Sequence, residues 1–94
     1  MATYLTLYKF TGVIKGGGPE RFKKFTACVE AEGGKLLKFH GLMGDYDVMT
    51  LCDYPSNRAA AKGAASIGNL ISARTTTMPA LEQDEFLQLL VELG

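Results

Sequence analysis

Residues 35–54 read KLLKFHGLMGDYDVMTLCDY and consist of two strand-like runs separated by a turn. The runs are Lys35–Leu42 and Tyr46–Tyr54, and both are rich in aliphatic and aromatic residues. Between them, Gly44 can adopt a positive φ and Asp45 is a favourable turn residue, so the chain can reverse sharply here. The stretch therefore predicts a β-hairpin.

A strand and a helix are predicted on each side of this hairpin. Before it come a strand at Tyr4–Thr11 and a helix that starts at Pro19 and ends at Gly33-Gly34. After it come a helix capped by Ser56 that ends at Gly68-Asn69, and a strand at Ile71–Met78. The order strand, helix, strand, strand, helix, strand is that of the ferredoxin-like fold, an α+β fold with a four-stranded antiparallel sheet.

A third, short helix is predicted after Pro79. Acidic residues are favoured in the first turn of a helix by its dipole, and Glu82, Asp84 and Glu85 stand there. Apolar residues follow at helical spacing, which predicts one apolar stripe. The stripe consists of Phe86, Leu89, Leu90 and Leu93.

Apolar residues also occupy both faces of the first three predicted strands. A sheet that is wetted on one face alternates between apolar and polar residues, and these strands do not. We therefore expect the second face to be covered, in part by the third helix and in larger part by a second copy of the chain. The opposing sets are Leu5 and Leu7 against Tyr8 and Phe10, Leu37 and Phe39 against Leu36 and Leu42, and Val48 and Cys52 against Met49 and Leu51.

The composition indicates a single domain over residues 1–94 that acts without nucleic acid or membrane. The net charge is zero, and the longest apolar runs are too short for a membrane span. Cys28 and Cys52 have no neighbouring histidine, so we expect free thiols in a reducing cytoplasm and neither a metal site nor a cofactor. The half of the chain up to Gly44 is basic and the half after it acidic, which could favour head-to-tail contact between copies.

Two residues are candidates for a general base, His40 and Asp47. His40 alternates with Lys38 on one strand face, where the pair could line a cavity. Asp47 follows Tyr46, and this pair either forms hydrogen bonds at a pocket mouth or stabilises the hairpin turn. We expect the ligand-binding residues to be Tyr8, Lys38, His40, Tyr46, Asp47 and Arg74.

The chain resembles the GYD-domain family over nearly its whole length. The similarity lies in Pro19-Glu20-Arg21, Gly33-Gly34-Lys35, Gly44 with Tyr46-Asp47, Gly68-Asn69, the Thr75–Thr77 strand and Asp84-Glu85-Phe86. The resemblance implies a dimeric α+β barrel, in which two ferredoxin-like sheets pack face to face. It implies no particular activity.

Three functions are compatible with these observations. The first is a homo-oligomeric protein that binds a small molecule. The second is a cofactor-independent enzyme, similar to a monooxygenase or an isomerase, that uses His40 or Asp47 as base. The third is a structural or accessory subunit. A pocket with converging polar groups would favour the first two, and a solid apolar interior would favour the third.

Overall fold

The computed structural model describes residues 1–12 and 17–94. Its elements are β1 (Ala2–Phe10), α1 (Gly18–Ala31), β2 (Lys35–Gly41), β3 (Val48–Tyr54), α2 (Asn57–Ile71), β4 (Ala73–Pro79) and α3 (Gln83–Glu92). The four-stranded sheet has the order β2-β3-β1-β4, and each neighbouring pair is antiparallel. The predicted ferredoxin-like α+β fold with a C-terminal helix is confirmed.

The core lies between the sheet and the helices α1 and α2. The side chains that fill it alternate along β1 and β3, and the helices contribute apolar residues at helical spacing. From the strands come Tyr4, Tyr8, Val48, Cys52 and Tyr54, and from the helices Phe25, Val29, Ala60, Ala64 and Ile67. We call this face of the sheet the helix face, and helices α1 and α2 of the same chain cover it.

Helix α2 lies close to the sheet because its buried residues are small. The tightest approach is at Gly63, where a Cβ would lie 2.9 Å from Cζ of the buried Tyr54 and closer still to its hydroxyl. Ser56 caps the start of the helix by accepting a hydrogen bond from the amide of Ala59 at 3.1 Å. The capping role predicted for Ser56 is therefore confirmed.

Helix α2 continues two residues beyond the predicted end at Gly68-Asn69. It ends at Ile71, followed by Ser72 at a φ of 54°, whose N–H is bonded to the carbonyl of Gly68. Gly68 is buried inside the helix, where a Cβ would lie 2.9 Å from the carbonyl oxygen of Ala73. The glycine permits close packing of the helix against the start of β4 and does not end the helix.

Strand β2 contains a bulge between Leu36 and Lys38, which changes one predicted face. Leu36 pairs with Cys52 and Phe39 pairs with Thr50, so both lie on the helix face. The prediction that Phe39 shares a face with Leu37, opposite Leu36, is wrong because the extra residue of the bulge reverses the alternation.

Helix α3 does not cover the second face of the sheet. Every residue of α3 is exposed, including the apolar stripe of Phe86, Leu89, Leu90 and Leu93. The prediction that α3 covers part of its own sheet is therefore wrong. Within the described residues, no helix combines the length and apolarity needed to cross a membrane.

Candidate functional site

The sheet face that points away from α1 and α2, here called the open face, has an apolar centre. Leu5 is paired with Leu51, and Leu7 with Met49, so four apolar side chains form a compact square across β1 and β3. Met78 of β4 extends it next to Leu5. All five side chains are only half-buried. A packed apolar centre is thus left in contact with water.

Basic residues border this centre on two sides. On β2, Lys38 pairs with Leu51 and His40 with Met49, which places both side chains beside the apolar square. The predicted alternation of Lys38 and His40 on one strand face is confirmed. At one end of the face, Lys9 of β1 is in register with Arg74 of β4, and both are exposed.

Asp47 joins the hairpin to β1 through two hydrogen bonds and closes the hairpin through a third. Its carboxylate accepts from the amide of Phe10 at 2.8 Å, and its own amide donates to the carbonyl of Tyr8 at 2.8 Å. Its carbonyl accepts from the amide of Leu42, also at 2.8 Å. The carboxylate thus satisfies a main-chain donor at the end of β1. This geometry agrees with the second of the two alternatives, a stabilising role, and the amide that the carboxylate binds belongs to β1 and not to the turn.

Two residues determine the conformation of the hairpin turn, Lys9 through a hydrogen bond and Gly44 through its backbone angle. The ammonium of Lys9 donates to the main-chain carbonyl of Asp45 at 2.7 Å. Gly44 has a φ of 152°, which side-chain-bearing residues rarely adopt, and no atom lies within 4 Å of where its Cβ would be. The predicted positive φ at Gly44 is confirmed, and backbone geometry alone requires glycine there.

Replacing Gly44 by valine should lower the free energy of unfolding by about 1–2 kcal/mol, because the backbone is held in a region that strains a β-branched residue. Gly41→Val is the matched control, since Gly41 is a β2 residue with open space around it. Chemical denaturation of both variants checks the prediction. An equal loss in the two variants would show that the turn conformation is not the cause.

Tyr8 lies on the helix face and is only 1% exposed. Its hydroxyl is 3.5 Å from Oγ1 of Thr50. Burial raises the pKa of Tyr8 from 10.0 to about 12, so the phenol stays neutral across the physiological range. The sheet separates Tyr8 from Lys38 and His40. It therefore cannot line one pocket with them, as the sequence-based set of ligand-binding residues had required.

The sequence left Tyr46 either at the mouth of a pocket or in a role that stabilises the hairpin, and the structure places it, exposed, near the hairpin tip. The expected ligand-binding set leaves out Lys9, although its alternation opposite Tyr8 places it on the open face. Among the described residues, no group of three or more His, Cys, Asp or Glu side chains is arranged to hold a metal ion. The open face therefore offers apolar contact, hydrogen-bond donors and positive charge.

Comparisons with known proteins agree with this fold. The chain is similar in structure to the crystal structure of the Mycobacterium tuberculosis leucine response regulatory protein (LrpA), with a TM-score of 0.60 at 15% identity. The match covers 87% of this chain and 51% of that one, so this chain spans about half of the regulator's length and the likeness concerns the fold alone. A comparison with curated proteins finds no match. The sequence profile of the GYD domain matches residues 4–90, and the chain therefore belongs to the GYD-domain family.

Proposed function

We propose that this protein is a homo-oligomer that binds a small molecule on the open face, between two copies of the chain. The ligand is an amphipathic anion, with an apolar body and a carboxylate, sulfonate or phosphate group. One observation carries the proposal, namely that an apolar centre and a basic border occur together on a sheet face that the described part of the chain leaves uncovered.

The apolar centre supplies the reason for association. Removing apolar surface from water contributes roughly 25 cal/mol per Å², and the square of Leu5, Leu7, Met49 and Leu51 remains half-exposed in one copy. A domain of 94 residues has a limited core, so covering this face adds a large share of its burial. A second open face offers the same apolar surface in return, which suits a symmetric contact.

The basic residues that border the apolar centre are the reason why we expect the ligand to be an anion. Lys38 offers an ammonium, Arg74 a guanidinium and His40 ring nitrogens, so hydrogen-bond donors lie on two sides of the apolar centre. At the opposite end of the face, Asp53 is in register with Lys35 and accepts a hydrogen bond from Thr3 at 2.6 Å. That carboxylate is already engaged, which leaves the positive charges near Lys38 and Arg74 for a ligand.

An enzymatic role, if present, falls to His40. Asp47 uses its carboxylate to bind the amide of Phe10, whereas His40 is exposed on the same face as Lys38. A base must reach the proton that it removes, and His40 is the better placed of the two candidates. The binding function does not depend on this role.

The experiment uses two fluorescent probes that share an apolar ring system. Anilinonaphthalene sulfonate carries a negative charge, and N-phenyl-1-naphthylamine carries none. We expect Lys38→Met to weaken binding of the sulfonate about fivefold, equivalent to about 1 kcal/mol, and to leave the neutral probe unaffected. Lys24→Met on α1 is the control, because Lys24 is exposed on a helix on the other side of the sheet.

Sedimentation and native mass spectrometry complete the test. We expect an oligomer at micromolar concentration and a copurified anion that Lys38→Met reduces. A protein that is only monomeric, or a Lys24→Met variant that loses as much sulfonate binding as Lys38→Met, would contradict the proposal.

A further inference from the structure

Helix α3 requires a packing partner that residues 1–12 and 17–94 do not provide. It has ten residues, and isolated helices shorter than about 12–15 residues are marginal in water. Helices of this length are normally stabilised by burying their apolar face, yet the α3 stripe, defined as Phe86, Leu89, Leu90 and Leu93, is exposed. The stripe is therefore an unfilled packing surface.

The overall dimensions show how much surface is left over. The radius of gyration is 14.4 Å, against about 12.4 Å for a compact domain of this length. The accessible surface is 6499 Å², about 1,200 Å² more than the roughly 5,300 Å² typical of a folded monomer of this mass. Each partner in a stable interface buries about 800 Å², so the excess is large enough for one.

A matching surface lies at the opposite edge of the sheet. We call it the aromatic edge and define it as Phe22 of α1 with Phe39 of β2; Leu37 lies beside it, in the β2 bulge. The rings of Phe22 and Phe39 meet edge to face at 5.3 Å, and both pack on the buried Phe25. Phe22, Leu37 and Phe39 are nevertheless 43%, 42% and 39% exposed. Because β2 is an edge strand, a helix laid here would also cover its unpaired side.

The two surfaces carry opposite charges. Beside the aromatic edge, Arg21 and Lys23 flank Phe22 in α1. The segment 81–94 contains four acidic residues and no basic one. Glu85 and Glu92 are seven residues apart, so both lie along the same flank of the α3 stripe. Opposite charges at the rim of an apolar contact favour this pairing and fix its orientation.

We propose that α3 is an exchanged arm, whose stripe packs on the aromatic edge of a second copy of the chain. The inference rests on the self-association in the proposed function and adds where the arm binds. Pairing of two α3 helices would bring acidic flanks together without a compensating cation, which is unfavourable. The arm covers the outer edge of β2, so the open face remains available for the second open face and the ligand between them.

Cross-linking between two singly substituted chains tests the arm. One chain carries Leu90→Cys in the centre of the stripe, and the other, with a tag of different length, carries Leu37→Cys in the β2 bulge beside the aromatic edge. The two are expressed together and oxidised, and peptide mass spectrometry identifies the joined cysteines, which distinguishes them from the native Cys28 and Cys52. We expect a disulfide between positions 90 and 37 that joins the two tagged chains.

The matched control is Gln88→Cys in place of Leu90→Cys, because residue 88 lies on the other side of α3 from the stripe. We expect its linked fraction to be at least fivefold lower. Sedimentation of the unmodified chain separates the two proposals. An oligomer without the link between positions 90 and 37, or with equal linkage from position 88, overturns the arm and leaves the proposed function standing. A protein that is only monomeric overturns both.

Discussion

Replacing Gly63 by valine is expected to lower the free energy of unfolding by about 2–3 kcal/mol, the largest loss among the substitutions considered. The cause is the contact between α2 and the sheet, where even a Cβ would overlap the ring of Tyr54. Tyr54 cannot move away, since it is 2% exposed and its ring meets that of Tyr4 edge to face at 6.0 Å. Thermal or chemical denaturation at a fixed protein concentration measures the loss.

Ala61→Val and Ala65→Val are the controls, because both alanines lie on the exposed side of the same helix. They introduce the same residue without the overlap. Each control loses about 0.5 kcal/mol of helix propensity, whereas Gly63→Val gains a few tenths, so helix propensity acts against the expected result. A Gly63→Val variant no less stable than these two would contradict the close contact between α2 and Tyr54.

Replacing Asp47 by alanine is expected to cost about 2 kcal/mol, since the amide of Phe10 then loses a charged acceptor. Asp47→Asn keeps an oxygen at the same position and should cost less than half as much. If Asp47 instead serves a ligand or a proton transfer, the asparagine variant should fold normally and lose function. We expect the opposite, namely full sulfonate binding by Asp47→Asn.

Asp45→Ala is the control for the loss of an acid from the same turn. Lys9 binds the main-chain carbonyl of Asp45 and not its carboxylate, so this variant should keep nearly full stability. Equal losses in Asp45→Ala and Asp47→Ala would indicate a general effect of charge in the turn. A stable Asp47→Asn variant that binds no probe would show that Asp47 is one of the ligand-binding residues.

The fold was predictable because its signals are local. The glycine at position 44, the cap at Ser56 and the periodicities of the strands and helices each depend on residues a few positions apart. The errors also have local causes. The bulge at Leu36/Lys38 adds one residue to a strand without changing its composition, and Gly68 looks like a helix end when its role is close packing.

The candidate site was predictable only in part. The alternation of Lys38 and His40 follows from strand geometry, and their place beside Met49 and Leu51 follows from the register of β2 on β3. Whether Tyr8 belongs to the ligand-binding residues could be decided only once the strand face covered by the helices was known. The role of Asp47 required its distance to Phe10, a residue 37 positions away in the chain.

The sequence by itself therefore determined the order of the elements, the hairpin and the need to cover two apolar sheet faces, because backbone propensity and side-chain alternation act between near neighbours. Only the tertiary structure decided which face the helices take, which residues Asp47 and Tyr54 contact and that α3 leaves its own sheet uncovered. Those outcomes depend on packing between distant segments, where the volume available at Gly63 and the position of β4 at the sheet edge are set by the whole fold.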